Sequence, residues 1–169
     1  MALLLKNLLF TVLVPGTVAV YVPLLIAQSR SPASGPALAI ALALLVLGTA
    51  IYARCVWDFA TFGRGTPAPI DAPKRLVVRG LYRYTRNPMY VGVLTVILGW
   101  SALFRASNLV LYALVVGTCF HLFIVIYEER HLEREFGAQY QAYRSQVARW
   151  LPRLRRGLNG RVDPLQKSG

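Results

Sequence analysis

The sequence predicts an all-α, polytopic integral membrane protein: four transmembrane helices arranged as two hairpins, with a cytoplasmic C-terminal amphipathic helix. Three observations predict it. The chain is 56% hydrophobic and only 15% charged, where soluble domains carry about 25% charged residues. Four stretches hold no Asp, Glu, Lys or Arg: Asn7–Ser29, Ser31–Ala53, Asn87–Phe104 and Ala106–Tyr127, each at least 18 residues long. A helix needs roughly 20 apolar residues to cross a ~30 Å hydrocarbon core, and in lipid the backbone must satisfy its own hydrogen bonds. Beyond the fourth stretch, Leu132, Phe136, Tyr140, Tyr143, Val147 and Trp150 recur at steps of three and four, an apolar stripe on one helix face.

The first stretch begins like a signal peptide, with Lys6 ahead of an apolar run. The run continues past the usual h-region and no small-x-small cleavage site follows, so it is expected to stay as the first span. Pro15-Gly16 and Pro23 should kink it. The third stretch is only just long enough to cross, so it is expected to be tilted, partly re-entrant or shielded by its neighbours. Ser31–Pro36 and Arg105–Asn108 read as outer turns. Thr61–Asn87 carries Gly63, Gly65, Pro67, Pro69, Pro73 and Gly80, which argues against a continuous helix. Leu76-Val77-Val78 and Leu81-Tyr82 make it apolar enough to fold against the helix ends. Gly137 should bend or interrupt the last helix, and Pro152 should stop it. The chain thus divides within one domain into an N-terminal hairpin (1–57), a cytoplasmic loop (58–88), a C-terminal hairpin with its closing helix (89–152) and a basic tail (153–169).

The formal net charge is +12, and its placement matters more than its size. Arg54, Arg64, Lys74, Arg75, Arg79, Arg83 and Arg86 flank or fill the second connection, and nine more Lys or Arg follow Tyr127. By the positive-inside rule both termini and the second connection are cytoplasmic. The basic excess meets the anionic surface of the lipid bilayer, so nucleic acid is not an expected partner. Cys55 and Cys119 lack metal-ligand spacing and read as small core residues. No metal is expected, and neither a Gly-x-Gly-x-x-Gly fingerprint nor a Gly-Lys-Ser/Thr phosphate loop is present.

Three features point to chemistry. Glu128-Glu129 sets two carboxylates at a membrane boundary, which needs positive charge nearby. Arginine salt bridges answer that need, and so does a cationic, hydroxyl-rich ligand. His121 lies two helical turns before Glu128, on nearly the same face. It reads either as a base or pocket wall, or as a core histidine satisfied by its neighbours. Arg86-Asn87-Pro88-Met89-Tyr90 enters the third span with Pro88 at the first helical position and Asn87 at the cap. That places backbone N–H groups where they suit a carboxylate.

These motifs, with Gly80-Leu81-Tyr82, Val91-Gly92, Arg130-His131-Leu132, Phe136-Gly137, Tyr140-x-x-Tyr143 and Arg149-Trp150-Leu151-Pro152, resemble the isoprenylcysteine carboxyl methyltransferase family, which is related to membrane phospholipid N-methyltransferases. The resemblance covers roughly Gly63 to Pro152. It implies a methyltransferase using S-adenosyl-L-methionine, whose sulfonium, ammonium and ribose diol suit the paired glutamates. It implies that the 58–88 loop is the cofactor loop, and that Lys74, Arg75, Leu76, Val77, Tyr82, Asn87, Pro88, Met89, Tyr90, Glu128 and Glu129 bind the cofactor. Arg86, His121 and Glu128 are the candidate catalytic residues. Asn87 stands where the family more usually has histidine. Ile124 stands where the eukaryotic prenylcysteine enzymes have the arginine that holds the substrate carboxylate. The implied acceptor is a lipophilic small molecule or lipid carrying a carboxylate, amine or thiol. Its hydrocarbon tail would contribute about 0.8 kcal/mol per buried CH₂. Two other readings remain at this point: an NADPH-dependent reductase of the sterol-reductase type, with Lys74 and Arg75 facing a 2′-phosphate, and a non-enzymatic membrane scaffold.

Overall fold

The computed structural model describes residues 9–28, 30–63 and 75–151. Helix α1 (Leu9–Ala27) contains a π-helical turn at Thr17–Tyr21 between Pro15 and Pro23. Pro23 has no N–H, so the carbonyls four and five residues back lose their helical donor. Two side chains supply it: Trp100 Nε1 donates to the Ala19 carbonyl at 2.9 Å, and Tyr112 Oη to that of Val18 at 2.9 Å. The expected proline defect is therefore where α1 is fastened to the bundle.

Helix α2 (Pro36–Asp58) starts at Pro36, after Gly35 in the left-handed region (φ 64°), and runs on through a π turn at Phe59–Gly63. A 3-10 turn, Gly80–Arg83, precedes α3 (Pro88–Phe104). Arg105 in the left-handed conformation turns the chain directly into α4 (Ser107–Phe123). The helical path continues through a π turn, Ile124–Glu128, into α5 (Glu129–Gln146).

Two findings bear on the expectation of four spans in two hairpins. Among the described residues three helical runs, Leu9–Ala27, Pro36–Gly63 and Ser107–Gln146, are long and apolar enough to cross a membrane. Helix α3 has 17 residues, about 25 Å at 1.5 Å per residue, and its neighbours shield it: Val93, Val96 and Ile97 form the main core with Ala19, Ala113 and Val116. Secondly, α2 packs most extensively on α3, and α1 lies against α3 and α4. The α2–α3 crossing is so close that a Cβ on Gly48 would sit 2.7 Å from the Gly92 carbonyl oxygen, and one on Gly92 2.9 Å from that of Gly48. In lipid, where apolar side chains gain little by leaving the solvent, such small-residue contacts are what bring helices together. Between α1 and α2 there is a hydroxyl contact, Thr11 to Tyr52 at 3.0 Å.

Cys55 is buried as expected, but Cys119 is exposed on the outer face of α4, the side that also presents Leu111, Leu114, Val115 and Leu122. At one end of the bundle the first connection meets the α3–α4 turn, with the Ala33 N–H donating to the Leu103 carbonyl. The opposite, polar end carries Glu128 and Glu129.

Candidate active site

The polar end is built by two segments about sixty residues apart in sequence. One is the stretch before α3. Val77 and Tyr82 are buried with Cys55, and Leu81 and Met89 pack on that cluster. Burial raises the Tyr82 hydroxyl well above its ordinary pKa, which keeps it neutral. The other is the stretch after α5. The apolar stripe predicts helix to Trp150, yet α5 ends at Gln146 and Val147 is extended (φ −115°, ψ 129°). The reason is a competing set of partners. Thr85 and Ala148 form a parallel bridge, and the Arg86 N–H donates to the Ala148 carbonyl at 2.9 Å. Thr85 Oγ1 and Asn87 Nδ2 both donate to the Arg149 carbonyl at 3.0 Å. Asn87 does occupy the cap position of α3, but its amide serves this strap and makes no side-chain cap bond to the helix.

Gly137 has φ 47° and ψ −123°, a conformation open to glycine and costly for any residue with a Cβ. The break folds the second half of α5 back over the π turn. Tyr143 Oη then donates to the Tyr82 carbonyl at 2.7 Å, and Tyr140, 2% exposed, accepts from Arg86 Nη1 at 3.2 Å.

Successive helical residues point about 100° apart, so the two glutamates diverge. Glu129, 6% exposed, is clamped by arginines. Arg86 Nη1 donates to its Oε1 at 3.0 Å, while Arg149 donates from Nε to Oε1 at 2.7 Å and from Nη2 to Oε2 at 3.1 Å. The hydrogen bond to Glu129 raises the pKa of Arg149. The salt-bridge reading thus describes Glu129. Glu128 differs: among the described residues its hydrogen-bond partner is Tyr90, whose hydroxyl donates to Oε2 at 2.8 Å.

Between these groups lies a small cleft lined by Arg86, Asn87, Ile124, Glu128, Glu129, Leu132, Tyr140 and Tyr143. Its volume of about 20 Å³ is far below the roughly 300–1,000 Å³ usual for ligand pockets, so side chains must move apart to admit a ligand of cofactor size. Of the candidates named from sequence, Arg86, Asn87, Glu128 and Glu129 line it, and Tyr90 meets it through Glu128. Pro88 is buried as the first residue of α3. Leu76 and Val77 are buried, with Val77, Tyr82 and Met89 in the cluster beside α2. Arg75 is exposed, and Lys74 lies outside the described residues. His121 is on the outer surface, where its Nδ1 accepts from Trp150 Nε1 at 3.1 Å; it is not among the lining residues. Ile124, Leu132, Tyr140 and Tyr143 also line the cleft, though none was among the candidate site residues named from sequence. The signal for the two tyrosines was their position in the stripe, four and seven residues beyond Phe136. Among the described residues no group of three or more His, Cys, Asp or Glu is placed to hold a metal.

A family model described as phospholipid methyltransferase matches residues 36–139. The chain belongs to the phospholipid methyltransferase family. That is a family of membrane methyltransferases, consistent with the resemblance carried by the sequence motifs. The part that matches the phospholipid methyltransferase model contains Arg86, Asn87, Tyr90, Glu128 and Glu129, and it ends one residue before Tyr140. The chain is also 37% identical over 86 residues to methanethiol S-methyltransferase 2 of Bradyrhizobium diazoefficiens, an alignment covering 50% of this chain and 32% of that protein. This chain thus spans about a third of that relative's length. An uncharacterized protein of Haemophilus influenzae is 32% identical over 63 residues, 37% of this chain and 100% of that protein. No solved structure matches the chain.

Proposed function

We propose that this protein transfers a methyl group from S-adenosyl-L-methionine to a lipophilic acceptor, at the cytoplasmic end of its helix bundle. The observation that carries this reading is the cleft itself. A carboxylate held by one tyrosine, beside an arginine and an asparagine, opens at the polar end of an apolar bundle in a chain of the phospholipid methyltransferase family. The residues fit the cofactor's chemistry. Glu128 offers acceptor oxygens for a ribose diol or an ammonium. Arg86 Nε is a buried donor without an acceptor among the described residues, suited to a carboxylate, and Asn87 adds an amide. S-adenosyl-L-methionine, when bound, supplies an electrophilic methyl on a sulfonium.

The protein's own task is then to orient and to exclude water, because methyl transfer is an in-line displacement. Tyr90 fixes the Glu128 carboxylate. The Glu129 clamp fixes Arg86, and with it the entrance to α3. Tyr140 and Tyr143 cover the cleft. His121, bound to Trp150, holds the strap against α4. Among acceptors we favour a thiol, which is supported by the relative named methanethiol S-methyltransferase. Ile124, in the position of the carboxylate-binding arginine of prenylcysteine enzymes, argues against a carboxylate held in that way. A thiolate needs no strong base, because a free thiol already ionises near pH 8.5.

The test is transfer of a labelled methyl group to host lipid extract and to a panel of lipophilic thiols, amines and acids, with products identified by mass spectrometry. Stabilisation by S-adenosylhomocysteine but not NADPH, with label in a lipophilic thiol, is expected. Stabilisation by NADPH alone would support a reductase, and no response to either would support a scaffold.

A further inference from the structure

Asp58, the last residue of α2, is fully buried, and among the described residues neither carboxylate oxygen has a hydrogen-bond partner. Arg54 Nη2 and Arg79 Nε each stand 3.4 Å from its Oδ1, on side chains that are 50% and 48% exposed. Arg79 is held from a second direction, its guanidinium 5.5 Å from the centroid of the Phe62 ring. Gly80, with φ +57°, closes the last side: a Cβ there would overlap Asp58 Oδ2 and lie 3.2 Å from Cγ.

A carboxylate stripped of water is costly unless its charge is compensated. Here the compensation comes from two half-exposed arginines, Arg54 one turn back on α2 itself and Arg79 from the facing segment, and Gly80 packs against Oδ2. The Arg79 and Gly80 contacts hold only while the Arg79–Gly80 backbone is docked. The 3-10 turn Gly80–Arg83 leads straight from this contact to Thr85, Arg86 and Asn87, which bond to the Ala148–Arg149 strap, and of these Arg86 and Asn87 line the cleft.

We propose that Asp58 is a positioning residue, an ionic latch that closes on Arg79 and Gly80 and so seats Arg86 and Asn87 for the cofactor. The proposal rests on the methyltransferase reading for its consequence, though not for its geometry. Glycine at position 80 is then required for two reasons, its left-handed φ and the carboxylate it faces. The second reason disappears when the carboxylate is removed.

The test uses the full chain in detergent or nanodiscs, with Asp58→Ala, Gly80→Ala and the double variant. Hydrogen exchange of the Tyr82, Tyr84 and Thr85 amides, which bond to the Arg79 and Leu81 carbonyls, is measured without ligand. Asp58→Ala is expected to speed that exchange about tenfold or more, with exchange in α3 and α4 unchanged. It should also weaken S-adenosylhomocysteine binding about tenfold and raise the cofactor KM, while kcat at saturation stays within about threefold. The double variant should be no worse than Gly80→Ala, because the two changes remove one contact. Wild-type exchange and wild-type affinity in Asp58→Ala would overturn the latch, as would fully additive effects. If Gly80→Ala fails to fold, Asp58→Ala alone decides. If the wild-type chain binds no S-adenosylhomocysteine, the methyltransferase reading fails, and the exchange result still decides the latch.

Discussion

Tyr90 donates a 2.8 Å hydrogen bond to Glu128, joining the first turn of α3 to the last residue of the π turn that follows α4. The tyrosine ring is also set by Phe120, with ring centroids 4.6 Å apart, so the phenol is fixed by packing as well as by its acceptor. This bond ties the start of α3 to the π turn through a group that lines the cleft. A hydrogen bond to a charged partner is worth about 1.5–3 kcal/mol. Tyr90→Phe keeps the ring and removes the donor. It is expected to weaken S-adenosylhomocysteine binding about tenfold, measured by calorimetry, which corresponds to about 1.4 kcal/mol. Unchanged affinity would show that the orientation of Glu128 does not matter.

The Glu129 clamp makes a different prediction, about stability. Removing one partner of a buried pair costs about 3–5 kcal/mol, but the Arg149 side chain is 29% exposed. Arg149→Ala should therefore cost about 1–3 kcal/mol after allowing for solvent screening. The loss should appear as earlier thermal unfolding in detergent. Arg149→Lys should recover only part of it, because an ammonium cannot make the two-pronged contact.

Gly137 tests the fold-back. Nothing lies within 4 Å of where its Cβ would be, so Gly137→Ala introduces no clash and acts through the backbone alone. Forcing alanine into that region costs about 1–3 kcal/mol. The second half of α5 should swing away, taking Tyr140 and Tyr143 from the cleft. Greater access of a polar fluorescence quencher to Tyr140 and Tyr143 would confirm it, and wild-type access with wild-type turnover would contradict it.

The α2–α3 crossing yields a stability comparison between glycines. Gly48→Ala drives a methyl group into the Gly92 backbone, whereas Gly117→Ala meets only Leu94 side-chain atoms at 3.6 Å or more. Overpacking of this kind typically costs about 1–3 kcal/mol. Gly48→Ala should lower the unfolding temperature clearly and Gly117→Ala should not; equal behaviour would mean that the crossing is looser than described.

Several of these features were legible in the sequence. Uncharged runs mark apolar helices because a charge in lipid is expensive; Gly137 marks a break because glycine alone turns there without strain, and Pro88 a start because its fixed φ and missing N–H suit the first helical position. The pairing of helices was not legible. Every face of a membrane helix is apolar, so Gly48 and Gly92 carry no sign of which neighbour they meet. The π turn at Ile124–Glu128 was also hidden, since it leaves no composition signature and yet sets where Glu128 and Glu129 point. Nor does a single bridge between Thr85 and Ala148 create a periodicity. Trp150 fitted the helical stripe although its indole turns to His121.

The central claim is that Glu128 faces a cofactor. Calorimetric titration of S-adenosylhomocysteine into the wild-type chain and Glu128→Gln tests it most directly, with thermal unfolding as the check on folding. Losing one charged contact should weaken binding about tenfold to a hundredfold in a variant that unfolds at or near the wild-type temperature. Equal affinity in the two proteins would contradict it.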